Sequence, residues 1–281
     1  MTDKDLRNFI NNALKEDVGK GDHTSLSTIA LNSKNKAHLL IKDNGIIAGI
    51  ELAKKIFNEV DPSISISKAI KDGDIVQNGD IAFQVEGNSI SILSAERLVL
   101  NCMQRMSGIA TKTNYLNSLL TNKKIKLLDT RKTTPLNRII EKWAVRIGGG
   151  KNHRFGLDDM ILIKDNHIDF SQSITDAIQK SKTYIKEKKI KLDIIVEARN
   201  INEVKEILNE GGIRRILLDN FNIKQTKEAI NIINKTCEIE SSGNINENNI
   251  IEYGKCEIDF ISIGALTHSV PSFDLSLKAI E

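Results

Sequence analysis

Residues 129–168 read DTRKTTPLNRIIEKWAVRIGGGKNHRFGLDDMILIKDNHI. The stretch carries Arg131, Lys132, Arg138, Lys142, Arg146, Lys151, His153, Arg154, Lys164 and His167, with Gly148-Gly149-Gly150 among them. Guanidinium forks bind carboxylate or phosphate oxygens in pairs, and an ammonium adds a compact charge. Cations at this density, beside flexible glycines, suit a ligand with several anionic groups. A solvated basic face is the bland alternative, and two features oppose it. The cations are spaced among Thr, Asn and Gly instead of running together. Two groups of them also follow apolar, strand-like runs: Leu127-Leu128 leads into Asp129-Thr130-Arg131-Lys132, and Met160-Ile161-Leu162-Ile163 ends on Lys164.

That form, a short apolar run stopping in polar residues, recurs to the end of the chain. The runs are 125–128, 160–163, 192–196, 216–218, the neighbourhood of Ile239, and 260–263. After the two just quoted, they stop in Glu197, Asp219-Asn220, Glu240-Ser241-Ser242-Gly243-Asn244 and Gly264-Ala265. Helical patterns fill 173–189, 201–210, 222–234 and 247–253. Strands alternating with helices imply a parallel sheet, and this many units predict a barrel. In such barrels the carboxyl ends of the strands share one face, where the chemistry sits. Charges distant in sequence then converge on one pocket.

Glu197 and Asp219 are carboxylates at the rim of this basic pocket. One reading is structural pairing with Arg or Lys. The other, favoured by the phosphate-type loops nearby, is magnesium, held directly or through its waters, or ribose hydroxyls. Those loops are Ser241-Ser242-Gly243-Asn244 and Gly264-Ala265. Small residues let backbone N–H groups approach an anion, and barrels often place phosphate at their last two strand loops. Either loop alone reads as an ordinary turn; together Ser242, Gly243, Asn244 and Gly264 read as a phosphate cradle. His153 has a bland reading as a hydrogen-bonded core histidine, but its neighbours argue for the pocket. His167 reads as shaping a strand end.

The first 110 residues read differently. Apolar spacing predicts a helix over 5–16, then a glycine-broken acidic loop from Glu16 to Thr24 in which Asp17 and Asp22 serve turn and cap. Two short strands flank Asn44-Gly45, and 51–60 is an amphipathic helix. Residues 63–86 alternate apolar and polar around Gly73 and Gly79, which predicts an antiparallel sheet with one covered face. Residues 91–120 form a long helical pattern in which Met103 and Met106 are core filler. The fold class is therefore α/β: an N-terminal α+β sandwich domain over 1–110 and an α/β barrel over 111–269.

Composition excludes several classes. The net charge is +3 and concentrated locally, and aromatics are only 4% of 281 residues. A generic nucleic-acid binder needs a broad basic surface or stacking platforms. No apolar run approaches membrane-spanning length. Cys102, Cys237 and Cys256 are isolated, so a reducing compartment fits better than a disulfide framework or a zinc site. A dinucleotide-binding oxidoreductase wants G-x-G-x-x-G after its first strand. No apolar strand precedes Gly148-Gly149-Gly150.

Asp-Thr-Arg-Lys-Thr from 129, Glu-Lys-Trp-Ala-Val-Arg from 141, Gly-Gly-Gly-Lys-Asn-His-Arg from 148, Gly156-Leu157 and Ile-Lys-Asp-Asn-His from 163 together resemble the signature of the quinolinate phosphoribosyltransferase family. The N-terminal Glu16-Asp17-x-Gly19-x-Gly21-Asp22-x-Thr24 and Ala95-Glu96-Arg97 resemble its other motifs, as does Thr267-His268-Ser269. One departure stands out. The family usually has Gly-Leu-Arg after Thr-Thr-Pro, and this chain has Leu136-Asn137-Arg138, so the loop loses a glycine's freedom. The resemblance implies an incomplete barrel and a C-terminal segment, 270–281, that returns to the N-terminal domain. It implies transfer of phosphoribose from phosphoribosyl pyrophosphate to quinolinate with loss of carbon dioxide, in the cytoplasm and with Mg2+ as cofactor. It implies Thr130, Arg131, Lys132, His153, Arg154 and Lys164 as substrate contacts, His268 at a phosphate, and Lys132, Glu197 and Asp219 as the catalytic set, the two carboxylates also serving the metal. It implies a homodimer or larger homo-oligomer in which Arg97 completes the neighbouring chain's site. A paralogue acting on another small acid, and a silent phosphate- or nucleotide-binding regulator, are the rivals. The regulator would be expected to lose one of Arg131, Lys132, Glu197 or Asp219, and all four are present.

Overall fold

The computed structural model describes residues 2–280. In chain order its first elements are α1 (Asp3–Val18), α2 (His23–Thr28), β1 (Lys34–Ile41), β2 (Gly45–Ile46), α3 (Ile50–Val60), β3 (Ser65–Ser67), β4 (Ile75–Val76), β5 (Ile81–Asn88) and α4 (Ser89–Leu119). Next come β6 (Lys126–Leu128), α5 (Arg138–Ile147), β7 (Ile161–Ile163), α6 (Asp165–Phe170), α7 (Ile174–Lys188), β8 (Ile194–Ala198) and α8 (Ile201–Glu210). The chain ends with β9 (Arg215–Asp219), α9 (Ile223–Ile233), β10 (Glu238–Ser242), α10 (Ile250–Gly254), β11 (Phe260–Ser262), α11 (Ala265–His268) and β12 (Leu275–Ile280). Two compact units result. The first holds residues up to Asn114, Thr133–Gly149, and those from Leu266 on; the second holds Tyr115–Lys132 and Gly150–Ala265. The boundary falls inside α4, a continuous helix.

In the first unit, α1 starts on a reciprocal cap: Asp5 N donates to Thr2 Oγ1 and Thr2 N to Asp5 Oδ2. Asp22 caps α2 by accepting from Ser25 N, which is the structural role its sequence context suggested. The sheet runs β12-β1-β5-β3, with β1 antiparallel to both its neighbours. Ala37, Leu39 and Ile41 alternate into the core, as the period of two requires. Phe57 of α3 meets Phe83 of β5 edge to face at 6.2 Å, so α3 covers this face. The strands flanking Asn44-Gly45 do not pair with each other: β2 pairs with β4 in a separate two-stranded ribbon. Met103 and Met106 of α4 are fully buried, as core filler should be.

In the second unit, six parallel strands among the described residues run in the order β6-β11-β10-β9-β8-β7. The first strand of this unit pairs with its last, through Phe260↔Lys126 to Ser262↔Leu128. That cyclic order is a barrel's. Lys151 adds one bridge on the free side of Leu128. Between this edge and β7 no strand pairing is found among the described residues, so the barrel is open there. β8 is buried along its whole length, as a strand covered on both faces should be. Ser173, Asn200 and Asn222 cap α7, α8 and α9 by accepting from the third backbone N–H of each.

One element inside the quoted stretch was not read from sequence. Arg138, Lys142 and Arg146 lie on α5, in the first unit, whereas the domain reading by sequence counts these residues within 111–269. Glu141 and Lys142 are buried. The glycines that follow serve packing more than a ligand. A Cβ on Gly148 would collide with Ala110 O and lie 2.7 Å from Thr113 Cβ on α4. Gly149 adopts φ +89°. Leu136 has φ +64° and is 93% exposed, so the position where a glycine was expected does carry a left-handed backbone.

The helix contact gives a test. Gly148→Ala forces α5 off α4 backbone, and such overpacking costs about 1–3 kcal/mol. The expected result is a Tm lower by several degrees in thermal denaturation; an unchanged Tm refutes the close approach.

Candidate active site

In a parallel sheet all strands end on the same edge, so the polar termini of the second unit share it. β6 delivers Asp129, Thr130, Arg131 and Lys132; β7 delivers Lys164; Glu197 is the last residue but one of β8 and Asp219 the last of β9; β10 ends in Ser242; Gly264 follows β11. Ladder pairs fix their heights: Ser242 is level with Asp219.

Glu197 is 6% exposed, and Lys164 Nζ stands 3.9 Å from its Oε2, a long ion pair with the lysine side chain 47% exposed. Burial raises the Glu197 pKa, the nearby Asp219 charge raises it further, and Lys164 opposes both. Burial also raises Asp219, while the Asn220 amide, Lys164 and Lys132 pull it back. Two carboxylates and two ammonium groups thus feel one another from four different strand ends. The carboxylates are hard oxygen donors, the kind Mg2+ takes. Among the described residues there is no group of three or more His, Cys, Asp or Glu that suits a metal cage. As donors, Glu197 and Asp219 fit Mg2+.

Arg154 and Arg131 are neighbours. Arg154 is only 8% exposed; its Nη1 donates to Met160 O at 3.2 Å. Burial and then the neighbouring Arg131 charge lower its pKa, against Asp159. Arg154 lies between α5 and β7, outside any helix or strand, and is nonetheless buried. A desolvated guanidinium beside a second one is an arrangement that a polyanion relieves. Asp129, fully buried, clamps the loop: it accepts from Asn152 Nδ2 and, at 2.8 Å, from His153 N. The His153 ring is turned to protein, with Nδ1 accepting from Arg154 N at 2.7 Å and Nε2 lying 3.4 Å from Glu240 Oε2. His167 Nδ1 accepts from Lys164 N and so shapes the strand end, as read.

The small-residue loop is tied to Asp219. Asn220 N donates to Ser242 O at 2.9 Å, Asn244 Nδ2 to Asn220 Oδ1 at 3.0 Å, and Asn220 Nδ2 to Asp219 Oδ2 at 2.7 Å. Asn220, Gly243 and Asn244 all have positive φ. A Cβ on Gly243 would lie 2.6 Å from Asn220 Cγ, so only glycine lets these turns nest. Lys132 N donates to Thr130 Oγ1 at 3.0 Å. Arg97 and His268 belong to the first unit; both are exposed, and His268 Nδ1 is 2.7 Å from Ser269 Oγ. Burial pushes the Cys102 thiol up to about 12 and Cys237 to about 11, so neither is a thiolate nucleophile at neutral pH.

Glu240, Arg215 and Asn220 were not nominated from sequence. The available signal was a carboxylate inside an apolar strand, Ile239-Glu240, where a solvent-facing position cannot be assumed.

Comparison with known proteins finds matches along nearly the whole chain. Residues 22–107 match the model of the quinolinate phosphoribosyl transferase N-terminal domain, and residues 109–278 that of its C-terminal domain. The chain is 44% identical over 289 aligned residues to a nicotinate-nucleotide pyrophosphorylase (carboxylating), chloroplastic, of Arabidopsis thaliana, covering 98% of this chain and 82% of that one. It is 37% identical to a probable nicotinate-nucleotide pyrophosphorylase (carboxylating) of Bacillus subtilis, covering 99% and 94%. The solved NadC of Streptococcus pyogenes superposes with a TM-score of 0.92 at 35% identity, covering 100% of this chain and 99% of that one.

The Glu197 environment yields a stability test. Its folded pKa lies above the ordinary value of about 4.3. A raised carboxylate is a folded-state cost, complete at neutral pH and relieved as pH falls through the folded pKa toward the unfolded one. Glu197→Gln is therefore expected to raise Tm at pH 7 by roughly 2–4 °C. The gain should shrink as the buffer approaches pH 4. A Tm that falls at neutral pH contradicts this account.

Proposed function

We infer the activity from membership: this chain belongs to the quinolinate phosphoribosyltransferase family, matched by both domain models and by near full-length relatives. It transfers phosphoribose from phosphoribosyl pyrophosphate to quinolinate with decarboxylation, giving nicotinate mononucleotide, diphosphate and carbon dioxide. The observation that carries this reading is the crowding of Arg131, Lys132, Arg154 and Lys164 with Glu197 and Asp219 on one strand edge.

Quinolinate carries two adjacent carboxylates, and phosphoribosyl pyrophosphate carries a diphosphate and a 5-phosphate. Arg131 and Arg154 take the diacid, with guanidinium forks matched to carboxylates. Lys132 and Lys164 neutralise charge near the diphosphate and the second carboxylate. The turn of Ser242, Gly243 and Asn244, with Gly264, holds the 5-phosphate by backbone N–H groups. Glu197 and Asp219 hold the ribose hydroxyls and the waters of Mg2+; when bound, the ion supplies charge neutralisation for the leaving diphosphate. Attack of the pyridine nitrogen on the anomeric carbon needs position and electrostatics more than covalent help. The pyridinium so formed stabilises the electron pair left by departing carbon dioxide. A reducing, cytoplasmic setting fits the three free cysteines. No helix among the described residues is long and apolar enough to cross a membrane.

The assay is direct. Nicotinate mononucleotide should form from quinolinate, phosphoribosyl pyrophosphate and Mg2+. A mono-acid leaves desolvated cations uncompensated, so nicotinate should have a specificity constant lower by roughly a hundredfold or more. Equal constants for the two acids would remove quinolinate as the substrate.

Assembly follows from the family. Arg97 is exposed on α4, in the first unit, and the other nominated cations are in the second. The protein is at least a homodimer in which each chain supplies Arg97 to its partner's site. Arg97→Ala and Lys132→Ala chains, each inactive, should then complement when mixed. Random exchange places about half the dimers in the mixed form, with one intact site each, so roughly a quarter of all sites recover. No recovery after verified exchange means that Arg97 does not act across chains.

A further inference from the structure

Beneath the strand edge the barrel holds an ionised layer that the reaction as described does not use. Glu240, in the middle of β10, has no solvent exposure. Arg215, at the start of β9, donates from Nη1 to Glu240 Oε2 at 2.8 Å. Its Nε and Nη2 donate to Glu238 Oε2 at 3.1 and 3.0 Å, and its guanidinium lies 3.6 Å over the Phe260 ring. Arg215 is thus fixed on three sides, and it fixes Glu240 Oε2 in turn.

The oxygen held by Arg215 faces His153 Nε2 at 3.4 Å. On the other side of the ring, Nδ1 accepts the Arg154 backbone N–H at 2.7 Å. An accepting Nδ1 carries no proton. The imidazole is therefore neutral, with its proton on Nε2 toward the carboxylate. Turning the ring over breaks both contacts. Together with the His153 N bond to Asp129, the ring sets the main chain from which the Arg154 side chain departs. A buried ion pair is a poor source of stability compared with apolar packing, so this layer calls for another reason.

We propose that Glu240 is a positioning residue: through the His153 ring it fixes the placement of Arg154, and so the affinity for the aromatic diacid. This rests on the reading of Arg154 as a carboxylate ligand. His153 acts here as a joint between the barrel interior and the site.

The test replaces Glu240 by Met, which fills similar volume without an acceptor. Arg215 keeps its two bonds to Glu238, so the variant should fold, with a Tm lowered by the loss of one partner of a buried pair. Losing an orienting partner behind a ligand-binding group typically costs 10–100-fold in affinity. The expected result is a KM for quinolinate raised about tenfold or more, with KM for phosphoribosyl pyrophosphate little changed. Glu240→Gln restores an acceptor for Nε2–H and should recover most of the affinity. A merely structural role predicts a lower Tm with unchanged KM, and no advantage of Gln over Met in KM. Should Glu240→Met fail to fold, His153→Asn tests the same joint. Its Oδ1 keeps the Arg154 N–H bond but the side chain no longer reaches Glu240, and an unchanged KM overturns the proposal. The nitrogen-15 shifts of His153 in the free protein give a readout independent of turnover. The wild type should show a single neutral tautomer protonated on Nε2, and Glu240→Met a mixture. An identical tautomer in both sinks the joint even where quinolinate is consumed, while failure of the wild type to consume quinolinate strikes the assigned reaction instead.

Discussion

The second unit depends on the pairing of β6 with β11. Without it, β6 and the loop that follows have no fixed place, and Asp129, Thr130, Arg131 and Lys132 leave the strand edge. With it, the first cationic loop comes round to the last small-residue loop, and six strand ends face one volume. Hydrogen bonds between parallel strands are modest one by one. Here three residue pairs convert a linear succession of β-strand and α-helix into a ring with one opening, and Lys132 and Asp219, 87 residues apart in sequence, lie within each other's field.

The electrostatics of that edge are costly by design. Arg154 is desolvated beside Arg131, and Glu197 beside Asp219. Each like-charged pair is held together by the fold and relieved by a ligand of the opposite sign. Such a site carries its selectivity in the free protein, because the repulsion exists before the ligand arrives. The cost falls on stability, and the apolar core beneath, with Ile195, Val196, Ile216 and Leu218 fully buried, offsets it.

Much of this was legible in the sequence for a physical reason. Strands buried on both faces read as short continuous apolar runs, and in a parallel barrel each run ends where its chemistry begins. Hence Lys164, Glu197 and Asp219 stood out by position alone. What escaped notice broke that rule. α5 hides because its buried face includes Glu141 and Lys142; Arg105 Nε bonds Glu141 Oε1 at 3.1 Å, and the pattern of charges looks solvated. Glu240 was read among the polar residues that stop a strand, and it lies instead in the middle of β10 with Arg215 and His153 around it. Gly148 was taken as freedom for a ligand, and it is the close approach of two helices. Leu136 was legible as a misfit, and its left-handed backbone costs about 1 kcal/mol or more for a residue with a Cβ.

The sheet of the first unit has an analogous feature with a consequence in time. β1 lies between β5 and β12, and its register with β12 runs from Lys36↔Ile280 to Ile41↔Leu275. One neighbour follows β1 closely in the chain and the other comes more than 230 residues later. Until β12 has been made, one edge of β1 has unpaired N–H and C=O groups along an apolar strand, a template for pairing with another chain. Closure of this sheet is bound to be a late, long-range event, the kind that slows folding. Order of synthesis and order of folding therefore part company here: β1 waits for β12.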